Sequence, residues 1–454
     1  VSKYNRPNQD GPVEGMGFRT TTQGYDLNRD FLKADAPETR ALLSLVASWN
    51  PDLFVDDHVT DGSDAQTTLT VAYGSEPATP EPLRAWLETV VRPSLAAVEE
   101  AGWKTGPYIE WIDPLDPPKG IDPGPSEPRY GTGYMPLRGI PAILVENHAL
   151  KPYGERVRAN AAFLSALLAR VGAAPKPLKE ARAAALDAAR KAPAGSPFVL
   201  AGETDLSRPE KIDFPGFAWT QVISPVTGRP RLVYDPKTPM SIPMPVYRRA
   251  KPTVTAPRPA AYLVPAGWPR VEERLAAHGV RFTKLAEPRT LAVGTYRASE
   301  PKFEPAPYQG RIRVSAKVAR STETRTVPAG SLYVPLDDPL APVAIHLLEP
   351  EGPDSLFSWG EMSSALEMKE YIDARVLDPI AEKMLKADPK LAAEWTAKLS
   401  DPKFAANSRE RYRFFYSRTP YWDESVGLLP VYRLDAPLDP LHAAAAPPAG
   451  GGPR

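Results

Sequence analysis

Five histidines and no cysteine leave imidazoles and carboxylates to hold any metal, and exclude disulfides, thiolate nucleophiles and thiolate metal sites. His58 lies in Val55-Asp-Asp-His-Val-Thr-Asp-Gly-Ser-Asp64, directly after an apolar run and among four carboxylates able to orient its ring. It reads either as a metal ligand at the end of a strand, where open α/β sheets place their sites, or as a loop histidine beside capping aspartates. Glu146 closes the run Pro141-Ala-Ile-Leu-Val145. Partial desolvation there would lift a carboxyl toward the range of a general base, while a salt bridge to Lys151 or Arg156 is the structural alternative. In Asp26-Leu-Asn-Arg-Asp-Phe31, the adjacent Asn28 and Arg29 can grip a carboxylate, the guanidinium through two parallel hydrogen bonds and the amide through a third. The same pair is also common on plain surfaces. His346-Leu-Leu-Glu349 has the spacing of a ligand pair but lies far downstream, after Pro342-Val-Ala-Ile345, and reads as a strand-end histidine and a loop glutamate. His148, His278 and His442 read as structural or surface residues, with His148 close enough to Glu146 to lie near a cleft.

Elements that would position these groups can be read from periodicity. Asp35-Ala-Pro-Glu38 has the form of a helix cap, ahead of Leu42, Leu43, Val46 and Trp49 at helical spacing, so a helix is expected from about 36 to 49. Leu53-Phe-Val55 is a strand-like run that should stop at Asp56-Asp-His58, leaving His58 at its C-terminal end. Leu83, Leu87, Val90, Val91, Leu95 and Val98 mark a second helix, interrupted by Pro93. A Pro- and Gly-rich loop follows over about 113–133, then the 141–145 strand and a helix through Val157, Ala161, Leu164, Leu168 and Val171. Residues 173–197 read as a helix or linker, with a boundary near 190. Helix and strand alternate up to that point, as in an α/β domain.

Beyond 190 the texture becomes short β-prone pieces such as 231–234 and 311–315, which suggests a β-sandwich-like module. Residues 261–264, 271–278 and 280–282 read as strand, helix and strand, and 354 to about 400 as helical. The tail, 436–454, ends in a low-complexity Ala/Pro/Gly run and is expected to be disordered.

Lys plus Arg and Asp plus Glu both number 55, so no net field recruits nucleic acid or an anionic membrane. Nothing approaches the ~18 apolar residues of a membrane span. Prolines number 55 of 454 residues, more than twice the usual ~5% share, which implies many loops. A cysteine-free, proline-rich chain is compatible with an exported bacterial enzyme and also with a cytosolic one.

The order Gly17-Phe-Arg19, Asp26-Leu-Asn-Arg29, strand-His58, strand-Glu146-Asn147 across residues 1–172 resembles the zinc metallocarboxypeptidases related to carboxypeptidase A. The resemblance implies a mixed-sheet, three-layer α/β domain over 1–190, followed by a β-rich, partly helical accessory region over 191–435 of the kind seen in large bacterial members. It implies one zinc ion and a peptide substrate. Arg19 would stabilise the oxyanion, Asn28 and Arg29 would bind the terminal carboxylate, His58 would be the third zinc ligand and Glu146 the general base. Tyr130 and Tyr134 are candidates for the family's mobile tyrosine. In such a mechanism zinc lowers the pKa of a bound water and Glu146 passes its proton to the leaving amine.

One departure matters. The family takes its other two ligands from a His-x-x-Glu motif upstream of the Asn-Arg pair, and none of residues 1–27 is histidine. The chain is therefore expected to be an N-terminally incomplete, poorly soluble and inactive piece of a periplasmic or secreted peptidase. An amidase or deacylase on the same scaffold, or a non-catalytic carboxylate-binding or scaffold protein, are the alternatives.

Overall fold

A computed structural model of the chain describes residues 19–60 and 63–438 together with the strand Ala443–Ala444. A 3-10 turn, Leu27–Arg29, precedes α1 (Pro37–Trp49) and β1 (Phe54–Val59). Next come β2 (Leu69–Tyr73), α2 (Glu81–Glu100), β3 (Thr105–Pro107), the single turn α3 (Gly131–Tyr134), β4 (Ala142–Asn147), α4 (Tyr153–Ala173) and α5 (Pro175–Lys191). The strands order as β1-β4-β2-β3. β1 runs parallel to β4 and β2 parallel to β3, while β4 and β2 are antiparallel, giving a mixed sheet.

Alternation along these strands creates two different faces. Leu69, Val71, Ile143 and Val145 point into a core shared with Leu83, Leu87, Val91, Phe163 and Leu178 of α2, α4 and α5. Thr70, Ala72, Leu144, Glu146 and His58 point the other way and line a cavity. Register places His58 opposite Glu146, and Glu146 opposite Thr70, so the three form one row across the sheet.

The remaining strands are β5 (Pro197–Thr204), β6 (Glu210–Ile223), β7 (Pro230–Val246), β8 (Ala250–Pro257), β9 (Ala261–Val264), then, after α6 (Pro269–Ala277), β10 (Thr283–Leu285), β11 (Arg289–Phe303), β12 (Val314–Val327) and β13 (Leu332–Pro335). α7 (Ala341–Leu348), α8 (Ala374–Ala387), α9 (Pro389–Leu399), α10 (Pro402–Ala406), α11 (Ser408–Tyr416), β14 (Tyr432–Leu434) and β15 (Ala443–Ala444) complete the described chain. Instead of a sandwich, one seven-stranded antiparallel sheet, β12-β11-β14-β9-β13-β10-β15, stands beside the two-stranded ladders β5-β8 and β6-β7. A second sheet is not needed as cover: Tyr262, Val264, Leu332 and Val334 pack on Val271, Leu275 and Ile345 of α6 and α7, and on Phe31, Leu32 and Leu43. That core joins residues from either side of position 190.

Several local expectations are corrected. Asp35 does not cap α1, whose N-cap is Ala36; its carboxylate is taken by Arg274 and Arg311. β1 continues through Asp56, Asp57 and His58 to Val59, because pairing with β4 carries it on. Residues 280–282 lie before β10 rather than in a strand, and residues 311–313 precede β12. Helices begin only at Ala374, the stretch from Asp354 being turns apart from the 3-10 turn Ser363–Leu366. His346 lies within α7, not at a strand end. Of the tail, Ala443–Ala444 pairs with β10, while 439–442, including His442, and 445–454 fall outside the described residues, as do Gly17 and Phe18. No helix among the described residues is long and apolar enough to cross a membrane.

Candidate functional site

The cavity has a volume of about 850 Å³ and is lined by all five residues singled out from the sequence: Arg19, Asn28, Arg29, His58 and Glu146. The sheet supplies its floor, the 3-10 turn part of its rim, and the segment from Tyr108 to Thr132 its opposite wall. Asp26 organises the rim. Its carboxylate accepts from the Asn28 amide nitrogen at 3.0 Å, capping the turn, and from Arg19 Nε at 2.7 Å, with Arg29 Nη1 at 3.9 Å. One carboxylate thus holds two guanidinium groups at one edge and leaves a net positive charge there.

Arg29 also donates from Nη1 to the Asn28 carbonyl at 2.7 Å, and its guanidinium lies over the Tyr130 ring, 4.5 Å from the centroid. Such stacking keeps the plane fixed and partly desolvated. The side chain of Asn28 is engaged by two neighbours. Its Oδ1 accepts from the Gly131 backbone N–H at 2.9 Å, which fixes the amide so that Nδ2 faces His58 Nε2 at 3.2 Å. The amide ties the turn to α3 and to His58, while Asn28 still lines the cavity.

His58 Nε2 lies 2.8 Å from Asp56 Oδ1. Protonated, it donates to Asp56; deprotonated, it accepts from Asn28. The Asp56 hydrogen bond pulls the His58 pKa above its ordinary value, burial opposes this, Asp56 and Glu146 add to the rise by charge, and Arg19 counteracts them. Asn147 Nδ2 donates to the His58 carbonyl at 3.1 Å, fastening β4 to β1 beside the pair. Of the four carboxylates near His58 in sequence, only Asp56 among the described residues bonds its ring. Asp57 faces α4, where burial raises its pKa and Asn160 hydrogen-bonds it; Asp64 sits 3.5 Å from His148 Nε2; Asp61 lies outside the described residues. Glu146 is buried, and Thr70 Oγ1 donates to its backbone carbonyl at 3.3 Å.

His148 also lines the cavity, with its pKa pushed down to about 4 by burial and, less, by Lys151. Tyr130 is at the wall, beneath Arg29. Tyr134 is not: it is fully buried, with its hydroxyl 2.6 Å from His278 Nδ1. Sequence reasoning missed Tyr73, Tyr108 and Trp111, which give the cavity its aromatic side, and Arg248 beside them. Strand alternation puts Tyr73 on the core face with Val71, so it gave no signal for the cavity, which Tyr73 reaches only at the end of β2; the others lie on loops with no such pattern.

A zinc site needs about three protein ligands. Among the described residues no group of three or more His, Asp or Glu is arranged to hold a metal ion. His58 and Glu146 therefore do not by themselves fit the implied zinc.

Comparison with known proteins adds a distant, partial likeness. Carboxypeptidase 2 of Trichophyton rubrum and that of Trichophyton tonsurans are each 32% identical over 111 residues, covering 24% of this chain and 21% of the relative. A probable carboxypeptidase 2 of Arthroderma benhamiae is 29% identical over 107 residues, 24% of this chain and 20% of the relative. The chain spans about a fifth of the length of the curated relatives it matches. No family model matches, and no solved structure matches significantly.

Proposed function

We propose that this cavity receives the free carboxylate end of a peptide and that the chain works in a peptidase of the carboxypeptidase type. The observation that carries the reading is the gathering of Arg19, Arg29, His58 and Glu146 around one cavity, with His58 and Glu146 in register on adjacent strands. The names of the partial relatives agree with it. Arg29, held flat on Tyr130, binds the carboxylate. Asn28 keeps His58 and the turn in place. Glu146 takes a proton from the water that attacks the peptide carbonyl and returns it to the leaving amine, while Arg19 faces the charge that grows on the carbonyl oxygen. Zinc dependence belongs to the proposal as a property to be measured, with His58 as its one contributor among the residues named. That no three-ligand group occurs among the described residues favours a second reading, in which the cavity binds carboxylates without hydrolysis.

Titration of the full chain with an N-benzoyl dipeptide and its C-terminal amide, with and without stoichiometric zinc, separates these. The free acid is expected to bind at least tenfold more tightly than the amide, and Arg29→Ala to abolish the difference, since a hydrogen bond to a charged group contributes about 1.5–3 kcal/mol. Cleavage that Glu146→Gln abolishes supports the peptidase. Selective binding with no cleavage in zinc supports the binding protein. Equal affinity for acid and amide refutes both.

A further inference from the structure

A second cavity, of about 350 Å³, opens between α5, the β5 strand and the start of α7, on the far side of the Pro125–Glu127 segment from the first; Pro125, Ser126 and Glu127 line both. Its walls have a distinctive chemistry. Among the described residues that line it nine are proline, joined by Leu137, Leu186, Phe198 and Leu200. Proline offers ring C–H surface and no backbone N–H, so these walls give a ligand contact area with few donors. A volume in this range suits a small molecule, not a macromolecular segment.

One polar side chain breaks the apolar lining. His346 on α7 is 5% exposed and lines the cavity, with its ring edge-on to Phe198 at 5.3 Å between centroids. Burial alone sets its protonation, with no hydrogen-bond partner or charge among the described residues contributing. Burial pushes its pKa down to about 4, so at neutral pH the ring offers one donor and one acceptor nitrogen without charge. An imidazole on the cavity wall can hydrogen-bond a group that enters, a contact that contributes to affinity. Water would satisfy the nitrogens but not the surrounding proline and leucine surface. An aromatic ring suits that surface, because its electron-rich face packs on proline C–H groups.

We propose that this cavity is a second binding site, for a small aromatic alcohol or phenol whose ring packs against the proline walls and whose hydroxyl bonds His346. It gives the His346-Leu-Leu-Glu349 sequence a role for its histidine unrelated to metal. The glutamate is spent elsewhere: Glu349 is fully buried and accepts from Tyr262 and Tyr296 hydroxyls, each at 2.6 Å, and from Arg433.

The probes are 2-naphthol and naphthalene, titrated into the full chain and read by calorimetry or ligand fluorescence. Saturable binding of 2-naphthol is expected, tighter than that of naphthalene by roughly three- to tenfold, the range of one neutral hydrogen bond. His346→Phe, which keeps an aromatic ring beside Phe198, should bring 2-naphthol down to the naphthalene level. Ala189→Trp, entering the cavity from α5, should abolish binding of both. Thermal melts of both variants, compared with the parent chain, verify that they fold. Absence of saturable 2-naphthol binding overturns the proposal, and so does binding that both folded variants leave unchanged. Equal affinity of 2-naphthol and naphthalene removes His346 from the site and likewise overturns it.

Discussion

At the level of single residues, His58 has two neighbours that read opposite protonation states: Asp56 accepts from the imidazolium and Asn28 donates to the neutral ring. The Asp56 bond and the charges of Asp56 and Glu146 raise its pKa, against burial. A raised histidine pKa stabilises the fold below the unfolded value of about 6.5, and this stabilisation is lost as pH rises through the folded value. NMR titration of the His58 ring should give a midpoint above 6.5, and Asp56→Asn should lower it, because burial then goes unopposed by the nearest charge. A midpoint that Asp56→Asn leaves in place would mean that Asp56 is not what holds the proton. The identity of this cluster was legible from the sequence, since Arg19, Asn28, Arg29, His58 and Glu146 do line one cavity. The use made of each was less so. An amide beside an arginine reads as a clamp, but whether it faces ligand or neighbour depends on Gly131, a hundred residues away, whose N–H fixes it.

Elements constrain the cavity through close backbone approaches. α3 passes so near the 126–127 wall that a Cβ on Gly133 would lie 2.2 Å from the Glu127 carbonyl oxygen and 2.5 Å from that of Ser126. Neither backbone atom can yield as a flexible side chain would. Gly133→Ala should cost about 1–3 kcal/mol, the usual penalty for overpacking, and move the segment that both cavities share. Denaturant unfolding measures the first effect. The second is checked by peptide and 2-naphthol titrations, both of which should weaken; unaltered affinity at both cavities would show that the wall is not held by this contact. Helices and central strands of the first part follow from periodicity, because a strand buried on one face must alternate and a helix must repeat every three to four residues. Which stripe of a helix turns inward is harder. In α4 the repeat Val157, Leu164, Leu168 competes with Ala159, Phe163, Leu167, and the fold buries the second, leaving Val157 and Leu168 exposed. Non-local pairing escapes a local reading altogether: the seven-stranded sheet inserts β14, near the end of the chain, between β11 and β9.

Across the whole molecule, three histidines are buried where they must stay neutral. His278 joins α6 to the first part of the chain, donating from Nε2 to the Leu32 carbonyl at 2.7 Å while Nδ1 accepts from the Tyr134 hydroxyl. Burial brings its pKa down to about 3, and those of His148 and His346 down to about 4. Each folded value lies below the unfolded value of about 6.5, so between the two the unfolded chain binds more protons and stability must fall as pH falls. Loss begins near pH 6.5 and continues to about 4 for His148 and His346, and to about 3 for His278. Each unit of pH costs about 1.4 kcal/mol per fully buried ring in this window. His58, with its raised pKa, acts in the opposite sense, as do Asp57 and Asp64, raised by burial, nearer the carboxylate range. Below about pH 6.5 the His58 contribution is already complete, so the three lowered rings leave a net loss between pH 6.5 and 5, above the range where ordinary carboxylates titrate. Urea unfolding at pH 7, 6 and 5 should show the midpoint falling with an unchanged slope. His346→Phe, which removes one of the three rings without adding charge, should flatten that fall by about a third. A midpoint constant from pH 7 to 5, or a His346→Phe profile as steep as that of the parent chain, would show that these rings are protonated without unfolding, and that water reaches them.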